Sequence, residues 1–142
     1  MLKGIPTILP PDLLKILMEM GHGDEIVIAD GNFPAASHAQ RLVRCDGLGA
    51  APLLDAVLQL FPLDSFVKHP AALMAVVPSD PYTPEIWSTY KTIVQKREPR
   101  FADFEIVERH AFYERAKKAY AIVASGETAR YANIILKKGL AT

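Results

Sequence analysis

The segment MGHGDEIVIADGNFPA, residues 20–35, sets His22 between Gly21 and Gly23 and places Asp30 at the end of the apolar run that follows. Glycines on both sides free the backbone and expose the imidazole. An unperturbed histidine titrates near neutrality, at about 6.5, so it can give and take a proton at little cost. The same pattern also fits a helix stop at Gly21 followed by a polar loop residue. Asp30 sits at what should be the carboxyl end of a strand, where open α/β sheets bind ligands. It fits a turn cap in DGNFP equally well.

Further along, Arg109, His110 and Tyr113 form a polar cluster between the apolar stretch FEIVE and the helix-like AFYERAKKA. Arg109 can donate several hydrogen bonds to hydroxyls. His110 and Arg115 read better as the solvated charges of an ordinary helix start. Tyr131 and Asn133 stand two apart in a strand pattern and so share a face. A phenol beside an amide makes a good polyol reader, though a strand edge explains the spacing as well. His38, His69 and Cys45 lack metal-ligand spacing. The glycines of Gly47–Leu48–Gly49 do not extend into a dinucleotide-binding pattern.

These residues must be held by regular elements. PPDLLKILMEMG reads as a helix, with Pro11 in its first turn and Leu13, Leu14, Leu17 and Met20 at helical spacing. DEIVIAD is a short strand whose near-continuous apolar centre suits a sheet buried on both faces. RLVRC follows as a strand, APLLDAVLQLFP as a helix and AALMAVVP as a buried strand. TPEIWSTYKTIVQKRE is a helix with Thr83 as cap, Pro84 at its first position, and a stripe of Ile86, Trp87, Tyr90, Ile93 and Val94. FEIVE, AFYERAKKA, YAIVAS and YANIILKKG then give strand, helix, strand and closing strand. Alternation of helices with apolar strands predicts one α/β domain over residues 1–142, a mostly parallel sheet with helices on both faces.

The bulk numbers narrow the function. The chain has 142 residues, half of them hydrophobic, enough for one real core. Its 16 basic residues balance 16 acidic ones, which argues against nucleic-acid binding. With one cysteine, Cys45, no intrachain disulfide can form, and a reducing compartment is the simple reading. The amino terminus, MLKGIPTILPPDLL, is a poor signal peptide, and the longest apolar runs fall far short of a membrane span. The expectation is a cytoplasmic protein with no membrane partner.

Singly, these signals say only that an α/β domain carries a small-molecule site. Together, LLKILMEMGHGDEIVIADGNFPA, RCDGLGAAPLLDAVLQLFPLDSF and RHAFYERAKKAYAIVASGETARYANIILKKG resemble the sugar mutarotases, the family that includes L-fucose mutarotase and D-ribose pyranase. The resemblance runs over nearly the whole chain and is weakest over residues 67–101. It implies an isomerase that exchanges the anomers of a monosaccharide without cofactor or metal. It implies that His22 is the general acid/base, that Asp30, Arg109, Tyr131 and Asn133 contact the sugar, and that Tyr113 lines the site. It also implies ring-like homo-oligomers, with a decamer as the expected stoichiometry. Arg109 followed by HAFYERA is closer to the fucose branch than to the ribose branch. Cys45 stands where a small residue such as alanine is expected. The alternatives are a ribose-type pyranose–furanose exchange and a monosaccharide-binding protein without turnover, which would have no need of a titratable His22.

One geometric demand follows. If EIVIA is a single extended strand, five residues at ~3.3 Å each hold its ends roughly 17 Å apart. That is too far for a monosaccharide to bridge. Either the glycine loop folds back strongly or a neighbouring subunit supplies part of the site.

Overall fold

The computed structural model describes residues 1–142. Along the chain come helix α1 (Pro11–Glu19), strand β1 (Glu25–Ala29), the short helix α2 (Ala35–His38), β2 (Leu42–Cys45), α3 (Ala50–Leu58), β3 (Ala71–Met74), α4 (Ile86–Arg97), β4 (Glu105–Val107), α5 (Arg109–Lys118), β5 (Ala121–Ser125) and β6 (Ile134–Lys137). The strands form one sheet in the order β2-β5-β1-β6-β3-β4. The pairs β1–β5, β2–β5 and β3–β4 are parallel. β6 runs antiparallel between β1 and β3. This is the three-layer, mostly parallel α/β domain that the pattern predicts.

The apolar runs belong to strands buried on both faces. Ile26 and Ile28 of β1, Val123 of β5, Leu73 of β3 and Ile134 and Leu136 of β6 face a large core shared with α1, α3 and α4. The alternate residues Val27, Ile122, Met74 and Ile135 face a smaller core closed by Phe33, Phe112 and Ala116 from α5 and the start of α2. Each such aliphatic side chain contributes about 1.5–3 kcal/mol by leaving water. Slipping any central strand by one residue would exchange its two apolar sets, so the register is held from both sides.

Several local expectations are corrected. α4 begins at Ile86, with Glu85 before it and no side-chain cap, so Thr83 does not cap it. The predicted stripe still packs: Tyr90 and Val94 are fully buried. α5 begins at Arg109, two residues earlier than AFYERAKKA suggests, because the Glu108 carboxylate accepts the His110 and Ala111 amides at 2.9 and 3.1 Å. Arg115 is not a solvated charge. Its guanidinium grips Glu25 through two bonds of 3.0 and 2.6 Å and reaches Glu105 at 3.1 Å, tying α5 to two strands. The short helix α2 lies in GNFPAASH, where the sequence shows no helical repeat long enough to read.

At the end of β6 the chain returns close beside residues 62–64. The Gly139 amide donates to Pro62 O at 2.8 Å, and a β-carbon built on Gly139 would lie 2.5 Å from Leu63 O and 2.9 Å from Asp64 Cα. Only the missing side chain permits that approach. Gly139→Ala should therefore destabilise the protein by about 1–3 kcal/mol, as overpacking against fixed backbone does. Gly47→Ala, where a β-carbon meets nothing within 4 Å, should stay close to wild type. Denaturant unfolding of both variants checks the contrast; equal midpoints would contradict the close approach.

Candidate active site

The antiparallel insertion of β6 decides where the polar residues meet. The carboxyl ends of β1 and β3 lie beside the amino end of β6, the arrangement in which α/β sheets open a crevice for ligands. Asp30 follows β1, Arg109 opens α5 just after β4, and Tyr131 and Asn133 precede β6. With Tyr113 they line one cavity of about 310 Å³, whose wall also includes Asn32, Phe33, Val77 and Arg130. Small-molecule sites span about 300–1,000 Å³, so this one suits a small ligand. A cavity of about 400 Å³ on the other side of Asp30 is lined by α2, Arg44 and Gly126, and Arg44 there is already paired with Asp46 at 2.7 Å.

Tyr131 and Asn133 do not lie within a strand, as their spacing suggests. They belong to the turn before β6, and Tyr131 takes φ 58°, the left-handed region that a side chain disfavours. The turn is pinned from α4: the Trp87 indole Nε1 donates to Tyr131 O at 2.8 Å and the Tyr90 hydroxyl to Ala132 O at 2.6 Å. Asp80 holds the Tyr131 side chain, accepting its hydroxyl at 2.8 Å and Arg130 Nη1 at 3.2 Å. That hydrogen bond and burial push the Tyr131 phenol above its usual range, so it remains a donor. Asn133 is buried, and its Oδ1 accepts the Asp30 amide at 2.7 Å, fastening the two ends of neighbouring strands together.

Asp30 is 8 % exposed, with one carboxylate oxygen accepting the Asn32 amide at 2.9 Å. Burial pushes the carboxyl above the ordinary aspartate range, against hydrogen bonds from Asn32, Phe33, Ala132 and Asn133 that lower it. Tyr113 stacks edgewise within an aromatic wall of Phe33 and His38, at 5.5 and 5.7 Å between centroids, and the Arg109 guanidinium stands 5.7 Å over its ring. Carboxylate, guanidinium, phenol and amide around an aromatic wall can read several hydroxyls and one apolar face at once.

His22 is not in this cavity. It lies at the other end of β1, in a turn that does not fold back. The Gly21 amide bonds to the Asp24 carboxylate at 2.8 Å, the Gly23 amide to Lys138 O at 2.8 Å, and the Lys138 amide to Asp24 O at 2.8 Å. Gly23 takes φ 89°, a conformation only glycine adopts freely. There His22 Nε2 meets Asp64 Oδ1 at 3.1 Å, and its ring lies 5.3 Å from that of Phe66. The sequence reading missed Asp64 and Asp80. Asp64 stands in PLDSF, an ordinary turn signal 42 residues from His22, and nothing in spacing links the two. No group of three or more His, Cys, Asp or Glu side chains is placed to hold a metal ion, and no helix is long and apolar enough to cross a membrane.

Fold and cavity define a sheet-end pocket for a small polyhydroxylated ligand, and residues 3–141 match the RbsD / FucU transport protein family, to which the chain belongs. Among its relatives, fucose mutarotase of Homo sapiens is 53% identical over 98% of this chain and 94% of its own. L-fucose mutarotase of Actinobacillus pleuropneumoniae is 48% identical over 99% and 97%. Among solved structures, the fucose mutarotase from Streptococcus pneumoniae in complex with L-fucose superimposes with a TM-score of 0.95 at 54% identity, covering 99% of this chain and 100% of that one. RbsD of Bacillus subtilis, complexed with D-ribose, shares the fold at a TM-score of 0.75 and 22% identity.

The raised Asp30 carboxyl carries a stability consequence. A carboxyl with a folded pKa above its unfolded value of about 3.9 binds its proton more tightly when folded, so ionisation costs stability as pH rises through that interval. Asp30→Asn should therefore melt higher than wild type at pH 7, with the difference shrinking as pH falls below the unfolded value. It should also lose sugar binding. Thermal melts at the two pH values check the first outcome, and titration with L-fucose the second.

Proposed function

We propose that this enzyme, a sugar mutarotase and hence an isomerase, exchanges the α and β anomers of L-fucose by acid/base ring opening and closure in the cytoplasm. The observation that carries the reading is identity near one half, over essentially the full length, to L-fucose mutarotases, including one with a structure in complex with L-fucose. The resemblance to the ribose protein extends only to the fold at 22% identity, and Arg109 at the head of α5 leans toward the fucose branch.

The chemistry needs only protons. The anomeric hydroxyl gives up its proton while the ring oxygen gains one, and the C1–O5 bond breaks as C1 becomes a carbonyl. Rotation about C1–C2 presents the other carbonyl face, and closure reverses both transfers. Groups that work in both directions near pH 7 are suited to this. His22 fills that role. Asp30, Arg109, Tyr131 and Asn133 hold the hydroxyls, with Tyr113 against the sugar's apolar face, and so supply orientation. Since β1 holds His22 and Asp30 roughly 17 Å apart or more, the pocket of one subunit is completed by His22 from a neighbour in a ring-like homo-oligomer.

Saturation-transfer NMR of the anomeric protons tests the activity. Chelator-treated protein should speed exchange of L-fucose, and exchange at the buffer rate would overturn the reading. His22→Ala should reduce the rate by roughly 100- to 10,000-fold, as loss of a general acid/base does. The fold should survive, because exposed loop substitutions typically shift stability by within about 0.5 kcal/mol.

Mixing tests the shared site. His22→Ala and Asp30→Asn subunits, each inactive alone, should regain part of the activity when co-assembled, because some interfaces then hold both intact groups. No recovery in verified mixed oligomers, or full activity in a monomer, would return both residues to one chain.

A further inference from the structure

Asp64 is 5 % exposed, yet it carries a carboxylate and faces the one group read above as the proton carrier. Its position is fixed from three sides. Its amide donates to Lys137 O at 3.0 Å, and the preceding Leu63 bridges to Lys138 at the end of β6. Its Oδ1 accepts the Phe66 amide at 3.0 Å, closing a turn on itself, and meets His22 Nε2 at 3.1 Å. On the far side, the Lys138 ammonium holds Leu17 O and Met20 O at 2.8 and 2.5 Å, so the helix end that leads into His22 is tied to the same strand end. Imidazole and carboxylate thus sit on two short tethers from one strand.

We infer that Asp64 is a positioning residue for His22: it holds the neutral imidazole as the Nε2–H tautomer, so that Nδ1 is the nitrogen that exchanges protons with the sugar. This rests on the reading of His22 as the acid/base. An ionised carboxylate only accepts hydrogen bonds, so the ring nitrogen facing it must be the donor. Burial alone would raise the Asp64 carboxyl, but the bonds from the Phe66 amide and His22, with Lys137 nearby, carry it below the usual aspartate range. Nδ1 is then the lone pair that remains, on a side chain 41% exposed. It accepts the anomeric proton to give an imidazolium whose Nε2–H stays on Asp64 and delivers that proton to the ring oxygen as the C1–O5 bond breaks; ring closure runs both transfers in reverse. The carboxylate keeps its charge throughout and does not itself become protonated.

The tautomer can be read directly. Long-range ¹H–¹⁵N spectra of the imidazoles at alkaline pH, with His22 assigned through His22→Gln, should show a protonated Nε2 and a pyridine-like Nδ1 in the wild type. Asp64→Ala should give mixed tautomers and lower kcat for L-fucose by about 10–100-fold with KM nearly unchanged, as loss of a group that orients a functional histidine does. Asp64→Asn, which keeps an acceptor without the charge, should retain the Nε2–H form and recover part of kcat. A wild-type ring protonated at Nδ1 would overturn the inference. So would an Asp64→Ala enzyme with unchanged tautomer and kcat, or one in which only KM rises, since that marks a sugar contact. If Asp64→Ala does not fold, the wild-type and Asp64→Asn spectra decide. Full turnover by His22→Gln would instead remove the acid/base reading, while the spectra would still report whether Asp64 sets the tautomer.

Discussion

A strand buried on both faces cannot bend to bring its own ends together, and β1 is such a strand. Ile26 to Ala29 are fully buried, paired with β5 on one side and β6 on the other. Its two ends therefore stay apart by its own length, with His22 before it and Asp30 after it. Everything chemical in the molecule is arranged around that separation. One end gathers a carboxylate, a guanidinium, a phenol and an amide around a cavity, and the other holds a histidine against a buried carboxylate.

β6 serves both ends because it runs the opposite way. Its start brings Tyr131 and Asn133 to the carboxyl ends of β1 and β3, where Asn133 fastens to Asp30. Its finish brings Lys137 and Lys138 to the amino end of β1, where their backbone groups hold Asp64 and the Gly21–Asp24 turn. A parallel strand in that place would have put both sets at the wrong ends. The left-handed Tyr131 is the local cost of this turn, and the clamps from Trp87, Tyr90 and Asp80 offset it.

The carboxylates at the two ends of β1 differ in their electrostatics. Asp30 gains from burial an affinity for its proton, so a partner that donates hydrogen bonds or positive charge, such as a sugar hydroxyl or Arg109, is favoured beside it. Asp64 has that effect outweighed by hydrogen bonds and stays a dedicated acceptor. The two aspartates are thus set apart by a balance: burial prevails at Asp30 over the hydrogen bonds that oppose it, whereas hydrogen bonds and the nearby Lys137 prevail over burial at Asp64.

Periodicity and composition alone determined the α/β class, nearly every strand and long helix, and the burial of the sheet on both faces, because apolar runs of strand length between helical stripes leave little freedom. They marked His22 and Asp30 as candidates, because glycine flanks and strand ends leave local marks, while the full set with Arg109, Tyr113, Tyr131 and Asn133 was chosen by the family resemblance. The Glu108 cap and the uncapped start of α4 at Ile86 escaped, since a helix start depends on φ and ψ of one residue rather than on a repeat. Only the tertiary structure decided that β6 is antiparallel, that Tyr131 lies in a left-handed turn, that the Gly21–Gly23 loop does not fold back, and that Asp64 and Asp80 stand behind His22 and Tyr131. Those are contacts across 42 and 51 residues. They are set by how strands stack in a sheet, which no local pattern encodes.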